Sequence, residues 1–281
     1  MTATTVAPSP DRSTAAPGWR GTGYPQQVLI LTGRSVNALL KNPQLVVFSL
    51  LQPLITLTLF SQVFGTVLES STLFPAGVSY INYLMPAILI ISGIGAALQS
   101  GMGLINDLRN GVLARFRSLP LRSSSVLVAR SLADLLRTAA QMLLLLVFAT
   151  AVFGFSPPGG FLGAVLAALL GLVVSWALTW LFLALAAWLR NSEVMQAVGF
   201  LATFPMMFAS SAYVPVDGLP GWVQAIALFN PLTYAVDTAR DLTLGDPVGN
   251  GILLSLATTA GVLVVCMSLA VKGFQRPLQS R

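Results

Sequence analysis

The chain has 281 residues, of which 55% are hydrophobic and only 9% are charged, and its mean hydropathy is +0.80. Soluble proteins carry charge on about a quarter of their residues, so this composition indicates a membrane protein. The sequence contains no histidine and a single cysteine, Cys266, which excludes Ser-His triads, histidine-ligated metals and an intrachain disulfide. We therefore expect lipid, rather than covalent or metal crosslinks, to hold the fold.

Six apolar stretches are long enough to cross a bilayer, which takes about 20 residues of helix. Lipid-facing backbone must satisfy its hydrogen bonds internally, and runs of this length favour helices over barrel strands. The predicted spans are residues 45–68, 83–105, 135–155, 161–189, 195–214 and 251–271. The predicted fold class is thus an all-α membrane protein with six transmembrane helices.

The basic residues are divided unequally between the two faces of this six-span topology. Fourteen of the fifteen lie before span 1, around the connection from span 2 to span 3, after span 4 or after span 6, and only Arg240 lies on the opposite face. Because lysine and arginine are retained on the cytoplasmic side, both termini are predicted to be cytoplasmic. The sequence pI of about 10.1 then indicates contact with anionic inner-leaflet lipids and not with nucleic acid.

Three segments outside the spans are assigned from composition and spacing. Residues 1–26 are polar and rich in Pro, Ser, Thr and Ala, which predicts a disordered cytoplasmic tail. Residues 27–41 place Val28, Leu31 and Val36 on one helical face and polar residues elsewhere, which is typical of an interfacial helix. Residues 27–271 form the predicted transmembrane domain, and 272–281 form a short cytoplasmic C-terminal tail.

The connection between spans 2 and 3, residues 106–130, is the most charged part of the chain. Its apolar residues recur every three or four positions and stop at a proline: Leu108, Val112, Phe116, Leu119 and Pro120. This spacing predicts a short amphipathic helix in the cytosol. Periodicity alone leaves two interpretations open, an ordinary loop packed on the protein's own spans or a docking surface for a partner.

The connection between spans 5 and 6, residues 215–250, is too long and too apolar for a simple linker. Residues 222–229 and 234–244 permit two short helices separated by Asn230-Pro231. Such a pair suggests a helical hairpin that dips into the outer leaflet. Trp222 and Tyr234 suit that interface, although each one singly is also typical of an ordinary aromatic belt residue.

Ionisable side chains are nearly absent from the spans, apart from Asp134 and Arg137, which are spaced for an i to i+3 ion pair at the cytoplasmic edge of span 3. An ion-coupled carrier usually needs a carboxylate at midplane depth, and no such residue is found. Candidates for a substrate path are therefore amides and soft apolar side chains: Gln52, Gln99, Phe200, Phe204 and Met207. Helix packing and lipid contact remain the alternative interpretation for each.

The sequence also offers no nucleotide-binding loop, because neither of its two lysines, Lys41 and Lys272, lies in a G-x-x-x-x-G-K-[ST] motif. The chain is predicted not to be an enzyme and to have no catalytic, cofactor-binding or metal-binding residues. If transport is driven by ATP, the nucleotide and its Mg²⁺ bind to another subunit.

Two motifs in matching topological places resemble a known family. One is Ser211-Ala-Tyr-Val-Pro-Val-Asp-Gly-Leu-Pro-Gly-Trp222, followed by Asn230-Pro-Leu-Thr-Tyr234 and Arg240. The other is Asp107-Leu-Arg-Asn-Gly111, continuing through Leu119-Pro120 to Ala129-Arg130. Both resemble ABC-2 type permeases, especially the daunorubicin-resistance-like group of drug and lipid exporters, and the resemblance covers the chain from about residue 27 onward.

The resemblance implies a type V ABC exporter fold with an elbow helix at 27–41, a coupling helix within 106–130 and a re-entrant pair within 215–250. It implies two permease chains, identical or related, in a bacterial plasma membrane, with ABC ATPase subunits docked below. The residues it assigns to ATPase coupling are Asp107, Leu108, Gly111, Val112, Arg115, Phe116, Leu119 and Pro120. The residues it assigns to an extracellular gate are Pro215, Pro220, Trp222, Asn230, Pro231, Tyr234 and Arg240.

The leading functional hypothesis is a permease subunit that moves an apolar or amphiphilic drug, antibiotic or lipid outward, powered by a separate ATPase. The alternative is a non-transporting membrane anchor or regulatory subunit that docks an ATPase for work in the cell envelope. An intramembrane enzyme is disfavoured by the lack of histidine and of clustered acidic residues at membrane depth.

Overall fold

The computed structural model describes residues 23–41, 43–69, 77–110, 123–249 and 251–275. Within these ranges the chain forms nine α-helices and one 3₁₀ turn, Val216–Gly218, and no strand. The helices are α1 (Tyr24–Leu40), α2 (Pro43–Glu69), α3 (Tyr80–Arg109), α4 (Ser123–Phe153), α5 (Gly160–Leu189), α6 (Ser192–Phe208), α7 (Gly221–Phe229), α8 (Pro231–Leu244) and α9 (Gly251–Gln275).

Five of the described helices, α2, α3, α4, α5 and α9, are long and apolar enough to cross a membrane. They coincide with predicted spans 1, 2, 3, 4 and 6, and three of them extend at least four residues beyond a predicted bound, α9 by continuing to Gln275. The helix α3 continues to Arg109, and α4 begins at Ser123. Polar and charged residues at these ends make the apolar run shorter than the helix.

The fifth predicted span is only partly a helix. The helix α6 has 17 residues and ends at Phe208, so the prediction that it continues to residue 214 is wrong. The hydroxyl of Ser210 donates to the Met207 carbonyl at 2.7 Å and accepts from the Ala212 amide at 3.3 Å. These local hydrogen bonds replace the next helical ones, as serine side chains do at helix ends.

Contacts between side chains fix the directions of the helices. The helix α4 is antiparallel to α3, because Arg130 meets Asp107 near one end of the pair and Asn82 exchanges hydrogen bonds with Ser156 near the other. The helix α2 is also antiparallel to α3, since Glu69 at its end accepts from the Tyr80 amide at 2.6 Å. A carboxylate at this place is also favoured by the dipole of α3.

The helices α3, α5 and α9 run parallel to one another. Gly93 and Gly101 of α3 lie so close to Ser175 and Phe182 of α5 that a β-carbon at either glycine would collide with its neighbour. Small residues allow this approach, as is common between helices in membranes. At the end of α5, the Trp188 indole donates to the Leu269 carbonyl of α9 at 3.1 Å.

The bundle therefore has two chemically different ends. The first, here called the basic end, carries Lys41, Arg109, Arg190 and Lys272. There α5 passes into α6 through the two residues Arg190 and Asn191, and the Asn191 side chain caps α6 by accepting from two backbone amides at 2.9 and 3.3 Å. The opposite end, here called the short-helix end, carries α7, α8 and most of the described acidic residues. This segregation is the one that the six-span topology predicts.

The helix α1 lies beside the start of α4 at the basic end. The Thr32 hydroxyl donates to the Ala129 carbonyl at 3.3 Å, and Val28 is buried while Leu29 and Ile30 are exposed. The predicted helix at 27–41 is confirmed, with Leu31 half-buried on the predicted apolar face. Its position at the membrane interface stays a prediction.

Candidate functional site

The bend after α6 exposes backbone carbonyl groups that the helix no longer pairs, and side chains from distant segments donate to them. The Tyr80 hydroxyl donates to the Tyr213 carbonyl at 3.2 Å, and the Tyr83 hydroxyl donates to the Ser211 carbonyl at 3.4 Å. An unpaired carbonyl in an apolar environment costs a few kcal/mol, on the order of 1–3. Irregular backbone at membrane depth is tolerated where protein groups satisfy it in this way.

Arg240 of α8 is the centre of this network, and its side chain is buried. Its Nε donates to the Tyr83 carbonyl at 3.3 Å, one terminal nitrogen donates to Asp237 at 3.0 Å, and the other donates to the Ser211 carbonyl at 2.7 Å. The guanidinium carbon also lies 3.6 Å from the centre of the Tyr83 ring, a cation–π arrangement. One side chain thus joins α3, the bend and α8.

Asn230 joins the two short helices to the same bend. Its side-chain oxygen caps α8 by accepting from the Leu232 amide, and its side-chain nitrogen donates to the Met206 and Ala209 carbonyls at 2.6 and 2.8 Å. Pro231 follows at the first position of α8, where the missing amide hydrogen costs no helical bond. The Asn-Pro pair therefore both starts α8 and fixes it to the end of α6.

The predicted gate residues divide into an inner and an outer group. Asn230 and Arg240 are buried in the network, and the Tyr234 hydroxyl donates to the Leu228 carbonyl at 2.6 Å across the junction of the short helices. Pro215 and Pro220 precede the 3₁₀ turn and α7, where their backbone shapes the turn. Trp222 is 71% exposed, which suits an interface position and gives it no structural role inside the protein.

The helix α8 is seated closely on the start of α5. Gly159 donates its amide hydrogen to the Thr243 carbonyl at 2.8 Å, and a β-carbon at Gly163 would collide with the Leu242 carbonyl. Three acidic residues lie nearby: partial burial raises the pKa of Asp241, the carboxylates of Asp237 and Asp246 raise it further, and the Arg240 guanidinium lowers it. The short-helix end is therefore fixed to the bundle by backbone contacts and by Arg240.

A small pocket lies among α2, α3, α4 and the end of α6. Its volume is about 30 Å³, and its lining includes three of the five predicted path residues, Gln52, Gln99 and Met207. Gln52 and Gln99 are exposed at its mouth, whereas Gln141 of α4 is buried at its floor. We call this the amide pocket.

The other two predicted path residues, Phe200 and Phe204, lie outside the pocket and are 64% and 48% exposed. They begin a row of stacked rings that crosses from α6 to α2, here called the aromatic row. Its members in order are Phe200, Phe204, Phe208, Tyr213, Phe60 and Phe64, with neighbouring ring centres 4.3 to 5.5 Å apart. Tyr213 also lines the amide pocket, so the row and the pocket adjoin.

An ionic cluster joins α3 to α4 near the basic end. Asp107 pairs with Arg130, and Asp134 accepts from Ser100 and lies 3.5 Å from Arg137. The predicted i to i+3 pair of Asp134 and Arg137 is thereby confirmed. Arg137 in turn donates to the Ala96 carbonyl at 3.1 Å and to the Gln99 side chain at 3.4 Å, which links the cluster to the mouth of the amide pocket.

The predicted coupling residues are only partly within the described ranges. Asp107 and Leu108 lie in the last turn of α3, and Leu108 is half-buried against the core. The remaining coupling residues, Gly111, Val112, Arg115, Phe116, Leu119 and Pro120, lie outside the described residues. The prediction that Asp107 contacts an ATPase stays untested, and within the chain its carboxylate is bound to Arg130.

Sequence reasoning missed the tyrosines that satisfy the bend. Tyr80 and Tyr83 carried no motif, and only the packing of α3 against a segment some 130 residues away gives them a role. It also left Gln141 out of the predicted substrate path. The signal that distinguishes Gln141 from Gln52 and Gln99 is burial, which one sequence does not reveal.

The described part of the chain is a helical bundle in which five helices are long and apolar enough to cross a membrane, and two short helices close one end, as in a multi-pass membrane protein. The ABC-2 type transporter family model matches residues 26–244. The chain belongs to this family of transmembrane ABC transporter subunits.

Similar proteins extend over most of the chain. The daunorubicin resistance ABC transporter permease protein DrrB1 of Streptomyces coeruleorubidus is 31% identical over 79% of this chain and 76% of its own length. The probable doxorubicin resistance ABC transporter permease protein DrrC of Mycobacterium tuberculosis is 25% identical over 89% of this chain and 88% of its own. The putative transport permease ycf38 of Porphyra purpurea is 29% identical over 76% of this chain and 73% of its own length.

Proposed function

We propose that this chain is the transmembrane permease subunit of an ABC exporter in a bacterial plasma membrane. It moves an apolar or amphiphilic molecule outward and is powered by a separate ATPase subunit. The observation that carries this proposal is the family match over residues 26–244 together with a bundle whose only described charged networks lie toward its ends. The names of relatives support a drug or antibiotic as cargo.

The orientation follows from the two ends of the bundle. Because all of the described arginine and lysine residues except Arg240 lie toward the basic end, that end faces the cytoplasm, and the short-helix end faces outward. The termini and the segment between α3 and α4 are then cytoplasmic, within reach of an ATPase. On this topology α6 is the fifth of six spans, and α7 and α8 form the re-entrant pair.

A second permease chain, identical or related, faces the exposed apolar sides of α2 and α6, and the substrate path runs between the two chains. Few residues of α2 are buried within one chain, whereas most residues of α3 are. On α2 and α6 the large exposed side chains include Phe48, Ile55, Leu59, Phe200, Leu201 and Phe204. An interface between two such faces opens and closes without moving charge into lipid, which suits alternating access by rigid-body motion.

The proposed function is tested by transport into inverted vesicles. Membranes from cells that produce the chain together with its ATPase should accumulate daunorubicin when ATP is added. Matched vesicles carry an ATPase whose P-loop lysine is replaced by alanine, and these should show no accumulation. If the chain moves daunorubicin without an ATPase under an ion gradient, the proposal is wrong. If the ATPase binds and hydrolyses ATP with no cargo moved for any amphiphile tested, the anchor alternative replaces it.

ATPase coupling is tested separately by changing the amphipathic helix predicted for the segment between α3 and α4. We expect Val112→Asp with Phe116→Asp to release the ATPase during co-purification, since charge would replace the apolar stripe. Leu108 is left unchanged because it packs on the core. Arg117→Gln, at a position not assigned to coupling, is the matched control on the same predicted helix, and it should release less ATPase. If the double variant co-purifies with as much ATPase as the unchanged chain does, the segment between α3 and α4 does not dock the ATPase.

The outer gate is tested at Trp222. Trp222→Ala should reduce export while leaving ATPase binding and the fold intact, because the side chain is largely exposed and at the rim of the short-helix end. Unchanged export would return Trp222 to the role of an ordinary belt residue.

A further inference from the structure

The floor of the amide pocket carries an unfilled hydrogen-bond acceptor. Gln141 is only 2% exposed, and its side-chain nitrogen donates to the Ser49 carbonyl at 3.3 Å. Its side-chain oxygen is buried and has no hydrogen-bond partner among the described residues. A buried acceptor without a donor costs about 1–3 kcal/mol, so a donor that enters the pocket and pairs with this oxygen would be stabilised there.

The chemistry of the pocket limits what that donor can be. Besides Gln141, the polar side chains that line it are neutral: Ser49, Gln52, Thr56, Ser92, Gln99 and Tyr213. With a volume of about 30 Å³, the pocket admits a group the size of one or two water molecules and not a whole drug molecule. Only a small polar group of a larger molecule fits, and the rest of that molecule must lie outside the mouth.

The exposed part of the aromatic row, which meets the amide pocket through the buried Tyr213, is suited to an aromatic or flat apolar body. Tyr213 belongs both to the pocket wall and to the aromatic row, with Phe208 on one side at 5.5 Å and Phe60 on the other at 4.3 Å. Phe200, Phe204 and Phe208 are each 45% exposed or more. Stacked rings present polarisable faces on which a flat body packs with favourable geometry.

We propose that Gln141 selects cargo: the amide pocket binds a small hydrogen-bond-donating group, such as a hydroxyl, of an amphiphilic molecule whose flat apolar body lies on the aromatic row. The proposal rests on the proposed function, since it takes the occupant to be the exported molecule. It adds a chemical class to that function, because molecules of equal size that lack a donor bind less well.

The test compares two ligands that differ only in the donor. The full chain in lipid nanodiscs is titrated with 9-anthracenemethanol and with its methyl ether, and binding is followed by energy transfer from tryptophan to anthracene. Empty nanodiscs provide the correction for partition into lipid. We expect the alcohol to bind about fivefold more tightly than the ether, the ratio that one neutral hydrogen bond of about 1 kcal/mol provides. Equal affinities would overturn the proposal, because the hydroxyl of the alcohol would then add nothing to binding in the pocket.

Variants assign the preference to Gln141. Gln141→Met has nearly the same shape without the acceptor, and it should bring the affinity ratio to about one. Gln141→Glu keeps an acceptor oxygen at the same length and should retain a preference for the alcohol. Gln62→Met is the matched control, since Gln62 is an exposed glutamine of α2 outside the pocket. A ratio that Gln141→Met leaves unchanged, or that Gln62→Met lowers equally, overturns the proposal.

The two proposals fail in distinguishable ways. The binding comparison needs no ATPase, so equal binding of alcohol and ether leaves ATP-driven flux in inverted vesicles untouched. Absence of flux in those vesicles in turn leaves the binding preference measurable on the same protein.

Discussion

The Arg240 network and the amide pocket are both polar regions inside an apolar bundle, yet they differ in how fully their hydrogen bonds are made. Each guanidinium nitrogen of Arg240 has an acceptor, and the carbonyls of the bend have donors from Tyr80, Tyr83 and Asn230. The Gln141 oxygen has none among the described residues. The Ser211 hydroxyl is also unpaired among the described residues, but the paired guanidinium and carbonyl groups around it fix one arrangement of the backbone. The Gln141 oxygen differs because its side chain lines a pocket.

The largest expected effect is that of Arg240→Met, which would remove three hydrogen bonds and leave the carbonyls of Tyr83 and Ser211 buried with fewer donors. We expect the free energy of unfolding to fall by about 3–5 kcal/mol, as for other broken buried charge networks. The measurement is unfolding by SDS in mixed micelles. Arg34→Met, at an exposed position of α1, is the control and should cost less than about 0.5 kcal/mol. Equal losses in the two variants would contradict a stabilising network.

Asp134→Asn tests a third polar region that lies between these two extremes. The carboxylate accepts from Ser100 and lies within 4 Å of both Arg130 and Arg137, so its neutralisation leaves two guanidinium groups with a weaker partner. We expect a loss of about 2 kcal/mol in the same unfolding assay. Asp246→Asn, at an exposed position after α8, should change the stability by less than about 0.5 kcal/mol. If both cost the same, the cluster adds no stability.

Gly163→Ala tests whether the Arg240 network also depends on backbone packing. The new β-carbon would meet the Leu242 carbonyl, so α8 must move away from α5, at an expected cost of about 1–3 kcal/mol. Gly261→Ala is the matched control in α9, where the β-carbon meets no atom within 4 Å. That control should be neutral or stabilising by up to about 1 kcal/mol, because alanine is the better helix former. Similar changes in the free energy of unfolding for the two glycine variants would contradict close packing of α8 on α5.

Gln141→Met should have the smallest effect on stability, and it gives the sharpest contrast with Arg240→Met. The substitution removes one hydrogen bond to a helical carbonyl and also removes a buried acceptor that has no donor. These contributions oppose each other, so we expect the free energy of unfolding to change by less than about 1 kcal/mol. A loss as large as that of Arg240→Met would mean that Gln141 is a structural residue.

The long apolar helices and the two short ones could be predicted from the sequence because local patterns dictate them. Apolar runs fix α2, α3, α4, α5 and α9, and the Asn230-Pro231 pair starts α8 through a cap that lies within two residues. The end of α6 could not be predicted, because it depends on donors from α3 and α8. A window of sequence around Ser211 contains neither Tyr83 nor Arg240.

The candidate site was predictable in part for the same reason. Residue type alone pointed to Gln52, Gln99 and Met207, which the fold brings to one pocket. Which amide would be buried without a donor depends on the rotation of α4 about its axis, and hydropathy has the same value for every glutamine, so it does not distinguish Gln141 from Gln52 or Gln99. The aromatic row continues from Phe200 and Phe204 to α2 only because the ring of Tyr213, beyond the bend, packs against the ring of Phe60.

The length of α6 has a consequence for the surrounding bilayer. Its 17 residues rise about 25 Å, which is less than the roughly 30 Å of a hydrocarbon layer. With α6 as a membrane span, either the acyl chains beside it thin locally or its bent end sits among them. The helix with this hydrophobic mismatch is the one that carries three rings of the aromatic row. Export should therefore depend on acyl-chain length and be faster in lipids with shorter chains.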